Sequence, residues 1–340
     1  MKSNYIKFGV FLPTGYGRNV TYGFNLDVTL TAEKLGLNSA WACDHLYGGV
    51  PLIGKKIKRT SDILECWTAI SALAPQTKEL IFGTQVVAIP YRNPVVLAKI
   101  ATTFDVITNG RLILGVGMGR SKDEFLGAGI PWESFDVRLE RTRETIEIFK
   151  LLCINPVVNY EGKHYKLVKC QLWPKPVQKP HPPIWLGGFG PKFMTLLEYA
   201  DGWLPPSLTI DEYKKRIPVV KEIIKKRGKP IEMAVEFYTS IAPTYDLALK
   251  NCEESIREFT GKDPETVAKH GATVQFGKKG ASVKFGAAIG APDECISSIE
   301  EYIKLGVRHF ILNFFPKTAT IEGLKLYAER VIPYIKGTYA

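Results

Sequence analysis

The sequence predicts a closed (β/α)8 barrel, forming a single domain over residues 1–340. Two observations carry this. Short β-branched or aromatic runs alternate with longer amphipathic runs along the whole chain, eight times over. Such alternation makes a parallel sheet with helical crossovers, and eight units close it. The length of 340 residues then suits one barrel with insertions, where an open doubly wound sheet would use five or six strands and leave a second domain. With 45% hydrophobic and 23% charged residues the chain is an ordinary globular one, neither disordered nor in need of disulfides.

The units follow in order. Residues 6–12 (IKFGVFL) are the first expected strand, ended by Pro13 and Gly15. Residues 24–35 place Leu26, Leu30 and Leu35 at helical spacing and stop at Gly36. Strand 39–43 (SAWAC) precedes a helix at 63–74, closed by Pro75. Strand 80–87 (LIFGTQVV) precedes a helix at 94–107, with Pro94 in its first turn and Asn109-Gly110 after its end. Strand 111–116 (RLILGV) leads to the long helix 135–152, whose Ile146, Phe149 and Leu152 share a face. Strand 183–186 and helix 193–199 make the fifth unit, and strand 202–204 and helix 211–226 the sixth. The seventh strand lies within 231–242. Helix 292–305 runs to Gly306, strand 307–314 (VRHFILNF) follows, and helix 321–335 ends the series.

Three segments fall outside this repeat: 46–62, 155–182 and 246–290. The second reads as a hairpin turning at Glu161-Gly162, then a Pro-rich basic stretch. The third holds two short helices and the Gly/Lys-rich piece FGKKGASVKFG. Insertions at the C-terminal ends of barrel strands line the active site, so the first and third are expected as walls or lids.

Lys and Arg number 45 against 34 Asp and Glu, a net charge of +11. That excess suits an anionic partner, and it also suits a chain from a Lys-rich proteome. The basic runs 55–59 and 225–227 are not interleaved with aromatics, so nucleic acid is not expected. No segment approaches the ~18 apolar residues of a membrane span, and no secretory signal is seen, so a cytoplasmic protein is expected. Asn19-Val-Thr21 is then a chance sequon. The six cysteines are dispersed, with no CxxC and no HExxH, so no metal site is expected. GxSxG and GxxxxGK[ST] are absent.

Chemistry in a barrel concentrates where strands end. The second strand ends in Asp44-His45, a carboxylate and an imidazole suited to acid–base work. The fourth runs into Gly115-Val-Gly117-Met118-Gly119-Arg120, whose glycines let backbone approach a flat ligand. It is GxGxG, not the GxGxxG of dinucleotide-binding folds. The fifth runs into Gly187-Gly188-Phe189-Gly190-Pro191-Lys192 and a helix start, an expected site for a phosphate.

Taken together these pieces resemble the bacterial-luciferase-like superfamily of flavin- and coenzyme F420-dependent oxidoreductases. The likeness runs in order through FGVFLP (8–13), AEKLGLNSAWACDHL (32–46), FGTQVVAIPYRNP (82–94), ITNGRLILGVGMGRSKDEF (107–125), RLERTRETIEIFKLL (138–152), IWLGGFGP (184–191), ADGWLP (200–205) and GAPDECISSIEEYIKLGVRHFIL (290–312). The resemblance implies a homodimer with coenzyme F420, or alternatively FMN, at the C-terminal mouth. It implies His45 as acid, base or oxyanion stabiliser, oriented by Asp44. It implies a non-proline cis bond at Gln85–Val86 behind the cofactor ring. Met118, Gly119 and Arg120 would contact the cofactor, and residues 187–190 would hold its phosphate. Arg120 departs from a sugar-phosphate dehydrogenase of the superfamily, which has Glu there, and this counts against a glucose-6-phosphate-type substrate. The expected activity is hydride transfer between coenzyme F420, or a reduced flavin, and a small organic substrate. The alternatives are a two-component monooxygenase, taking reduced FMN from a separate reductase and reacting it with O2, and a non-catalytic flavin-binding protein. The intact Asp44-His45 pair argues against the last.

Overall fold

The structure is a computed structural model, which describes residues 5–15, 21–47, 62–275 and 282–339. The segment 48–61, and with it nearly all of the first insertion and the basic run 55–59, lies outside the described residues, as do Asn19 and residues 276–281.

In chain order the strands are β1 (Lys7–Phe11), β2 (Ser39–Ala42), β3 (Ile81–Thr84), the two-residue β4 (Val87–Ala88) and β5 (Leu112–Gly117). An antiparallel hairpin follows, β6 (Val158–Glu161) and β7 (Lys166–Cys170). Then come β8 (Ile184–Leu186), β9 (Gly202–Trp203) and β10 (Glu232–Ile241). A second hairpin, β11 (Ala272–Gln275) and β12 (Ser282–Phe285), leads to β13 (Ala288–Gly290) and β14 (His309–Phe314). Among the described residues eight parallel strands pair in the order β1, β2, β3, β5, β8, β9, β10, β14, and β14 returns to β1 from Lys7↔His309 to Val10↔Leu312. The sheet is the predicted closed barrel. β13 lies along the upper end of β10, above the point where β9 stops.

Period-two alternation divides the strand residues between two cores. Phe8, Val10, Phe82, Leu114, Phe237 and Phe310 face outward and join the helices in one continuous core. Phe11, Trp41, Ile113, Trp185, Ala234 and Ile311 fill the barrel's inside. The floor is polar but sealed. Trp41 stacks on Trp185 at 5.2 Å, and His309 meets both rings edge-on. Trp41 Nε1 donates to Ser39 Oγ at 2.7 Å, and that oxygen lies 2.7 Å from His309 Nε2. A filled floor leaves the C-terminal mouth for a ligand.

Local chemistry sets most element ends. Helix Pro94–Ile107 has the predicted bounds, with the Asn93 side chain accepting from Val95 N–H at 2.9 Å. The helix expected from residue 63 begins instead at Cys66, because the Glu65 carboxylate caps it through Thr68 N–H at 2.7 Å. The helix expected over 211–226 is broken into Ile210–Lys214 and Ile217–Arg227, since Pro218 has no N–H to continue the ladder. The turn of the first hairpin spans 162–165 rather than Glu161-Gly162. Gly162 N–H donates to Tyr165 O, and the buried Glu144 carboxylate accepts from Lys163, His164 and Tyr165 N–H. In the third insertion the first helix is long, Tyr245–Thr260. Its Ala248, Cys252 and Ile256 pack on Tyr238, Ile289 and Phe315, making it a wall over the ends of β10 and β14. Among the described residues no helix is long and apolar enough to cross a membrane.

Burial, with a smaller contribution from Lys7, lowers the pKa of His309 to about 3. The folded barrel therefore keeps this imidazole neutral, while the unfolded chain protonates it below about 6.5. Protons then favour unfolding between those values, so stability falls with acidification. The expected loss from pH 7 to pH 5 is about 2 kcal/mol for this one group. Denaturant titrations at both pH values check it, and His309→Gln should shrink the difference.

Candidate active site

The mouth is built from the residues that follow each strand. After β2 the chain reads Cys43-Asp44-His45. Asp44 is 4% exposed, and its carboxylate is spent on structure. Arg92 donates to both oxygens, at 2.6 and 2.8 Å, and Ala88 N–H donates at 3.0 Å. This bidentate clamp ties the end of β2 to β4 and to the turn after it.

The expected orienting role of Asp44 toward His45 is therefore corrected. The partner of His45 is Glu124, whose Oε2 lies 2.9 Å from Nδ1. Glu124 is 1% exposed and also accepts from Leu46 N–H at 2.5 Å. It stands in the first turn of a short helix, Lys122–Gly127, capped by Ser121. Burial alone would raise the Glu124 pKa, but the His45 hydrogen bond, the charge of His45 and the N–H of Leu46, with Tyr91, bring it below the ordinary value. An ionised carboxylate on Nδ1 fixes that nitrogen as a donor and so sets the orientation of the ring.

The Gln85–Val86 bond is cis, as the resemblance implied. Val86 then occupies the space the sequence reading gave to a flat ligand. A Cβ on Gly117 would lie 2.7 Å from Val86 Cγ2, one on Gly187 2.5 Å from Val86 Cγ1, and one on Gly115 1.9 Å from Thr84 O. Gly115, Gly117 and Gly187 thus make room for Val86 and its strand, a correction to the ligand reading of the first two. Gly119 has φ +72°, and Phe125 packs behind it. Arg138 stacks on Trp132 at 3.7 Å and donates to the carbonyls of Met118, at 3.1 Å, and Gly119, at 2.8 Å. That holds the loop from behind and leaves Arg120 exposed.

The loop after β8 is held as firmly. Gly187 N–H donates to Val116 O at 3.0 Å, Trp203 Nε1 to Gly188 O at 2.7 Å, and Arg216 Nε to Phe189 O at 2.8 Å. A Cβ on Gly190 would meet nothing within 4 Å, so this backbone faces open space. The helix expected here at 193–199 is one turn, Pro191–Met194, followed by a 3-10 turn, Thr195–Tyr199. Pro191 has no N–H to offer, and Lys192 pairs with Asp136. The anion-attracting helix end is thus corrected to a loop whose own backbone is the available donor.

The inward side chains of the top layer form a polar chain that the sequence reading missed. Asn313 Nδ2 donates to Glu236 Oε1 at 2.5 Å, and Lys317 Nζ donates to Asn313 Oδ1. The Gln85 side chain also donates to Glu236. Lys317 Nζ lies 4.8 Å from the ring centre of Phe11 and 5.3 Å from that of Phe315. Burial raises the Glu236 pKa, and it pushes the Cys43 thiol up to about 11. Gln85 Oε1 is buried with no hydrogen-bond partner among the described residues. A signal was present: Glu236 and Asn313 interrupt the apolar strands MAVEFYTSI and HFILNF.

The family model described as luciferase-like monooxygenase matches residues 6–309. The chain is 26% identical over 331 residues to the F420-dependent glucose-6-phosphate dehydrogenase of Amycolatopsis mediterranei (strain U-32), covering 92% of this chain and 94% of that one. It superposes on an F420-dependent secondary alcohol dehydrogenase, solved with an F420-acetone adduct, with TM-score 0.76 and 23% identity over 96% of this chain and 98% of that one. It superposes on the monooxygenase RslO1 from Streptomyces bottropensis with TM-score 0.76 and 20% identity over 97% and 99%. Both superpositions show a shared barrel fold.

The packing of Val86 gives a direct expectation. Gly187→Ala should cost about 1–3 kcal/mol by overpacking. Adding Val86→Ala should recover more than half of that loss. A double-mutant cycle on denaturant midpoints measures the coupling.

Proposed function

Because the chain belongs to the luciferase-like monooxygenase family, we propose that it is an oxidoreductase moving a hydride between coenzyme F420 and a small organic substrate. The F420 dependence named for its relatives supports this reading. The observation that carries it is the His45–Glu124 pair at the rim of a barrel whose floor is sealed.

The residues present suit a deazaflavin. The orphaned acceptor Gln85 Oε1 matches the N–H donors of its pyrimidine ring. Gln85 and Val86 would lie behind the ring, with Met118, Gly119 and Arg120 along its side. The loop 187–190 would take the phosphate at its open end, Gly190. When bound, the coenzyme supplies the two-electron hydride chemistry. The chain supplies position and a proton route. His45 Nε2 gives or takes the proton at the substrate oxygen as the hydride moves. Glu124 holds the ring in place through Nδ1. Asp44 acts one step removed, by clamping Arg92 and so fixing the backbone from which His45 projects.

Titration with F420 and with FMN, followed by absorbance and fluorescence, tests the cofactor. Sub-micromolar F420 binding with none of FMN is expected; tight FMN binding with oxygen uptake would overturn the reading in favour of a monooxygenase. His45→Ala should lower kcat by about 10²–10⁴ while F420 affinity holds. Glu124→Gln should cost less than His45→Ala, because a neutral amide can still accept from Nδ1 and hold the ring.

A further inference from the structure

Lys317, Asn313 and Glu236 have no part in that proton route. Lys317 follows Pro316 just beyond the end of β14 and reaches across the mouth to the ring of Phe11 at the end of β1. Its hydrogen-bond partner is the neutral amide oxygen of Asn313, two aromatic faces lie within 5.3 Å, and Glu236 and Cys43 act on it electrostatically. The amide of Asn313 stands between the ammonium and the carboxylate of Glu236 and bonds to each. Glu236 is satisfied by two donors, from Asn313 and Gln85. An ammonium has three N–H donors, and one is spent on Asn313.

Two other carboxylates of the mouth already have cationic or imidazole partners. Asp44 is neutralised by Arg92, and Glu124 is paired with His45. Exposed Arg120 adds a second cation within electrostatic reach of Glu236. A desolvated cation with a neutral partner is costly unless an anion completes it.

We propose that Lys317 anchors a carboxylate on the substrate, with Phe11 and Phe315 enclosing the adjoining carbon atoms, so that the substrate class is small carboxylic acids that also carry the oxidisable or reducible centre. This deepens the oxidoreductase reading and rests on it. Cys43, just past the end of β2 and two residues before His45, lies within electrostatic reach of Lys317. Burial brings Lys317 down to about 8, against the opposing pull of Glu236 and Cys43. At neutral pH Lys317 is thus protonated at a cost in stability, and Lys317→Met should raise the melting temperature by about 1–3 °C.

The test is calorimetric titration of the full chain, with and without F420, using lactate and pyruvate against lactamide and pyruvamide. The wild type should bind the acids at least tenfold more tightly than the amides. Lys317→Met should erase that preference and leave amide binding in place, Lys317→Arg should keep most of it, and Glu236→Gln should strengthen it. The proposal is overturned if the wild type shows no preference for acids, if Lys317→Met retains it, or if it disappears in Arg120→Gln instead. A tenfold loss of F420 affinity in Lys317→Met with the acid preference intact would likewise overturn it, assigning Lys317 to the cofactor. The two readings fail separately. A Lys317-dependent preference without F420 binding removes the cofactor reading alone, and F420 binding without a preference removes this one alone.

Discussion

The space for one side chain organises this mouth. Val86 projects into a gap where Gly117 and Gly187 can carry no Cβ, and where Gly115 lies against the backbone of β3. Close packing of this kind tolerates almost no displacement. Three consecutive neighbours in the barrel wall, β3, β5 and the loop after β8, are thereby brought into one register. The Met118 loop and the loop 187–190 extend from those same glycines. Their positions relative to one another follow from it, and Arg138, Trp203 and Arg216 then fix each loop from outside.

Around that gap the charges are separated by task. Asp44 and Arg92 form a direct bidentate pair that serves the backbone. Glu124 and His45 form a pair in which the carboxylate orients the imidazole. Glu236 and Lys317 are held apart by an amide. Arg92 also pairs with Glu65, so the first pair belongs to a cluster that fixes backbone, whereas Lys317 is linked to Glu236 through Asn313.

The barrel was legible because strand alternation and helix caps are local. Pro94 and Asn93 mark a helix start that needs no knowledge of the rest of the chain. His45 was legible through its strand-end position, but its partner was not. Glu124 lies 79 residues away, and periodicity says nothing of which loops meet across a mouth. The Ser121-Lys-Asp-Glu124 spacing announces a helix start, yet the glutamate side chain is turned to the histidine and Leu46 rather than back to the cap. Lys317 was illegible for a different reason: a lysine after a strand reads as surface, and only the fold brings it between the rings of Phe11 and Phe315.

The wall made by helix Tyr245–Thr260 has its own small core, separate from the two cores of the barrel. Phe315 belongs to that core and also to the ring pair around Lys317. Changes accumulated within the insertion can therefore be passed to the surroundings of Lys317 through Phe315. Selection acting on such a chain has a route to new substrates that leaves its folding intact.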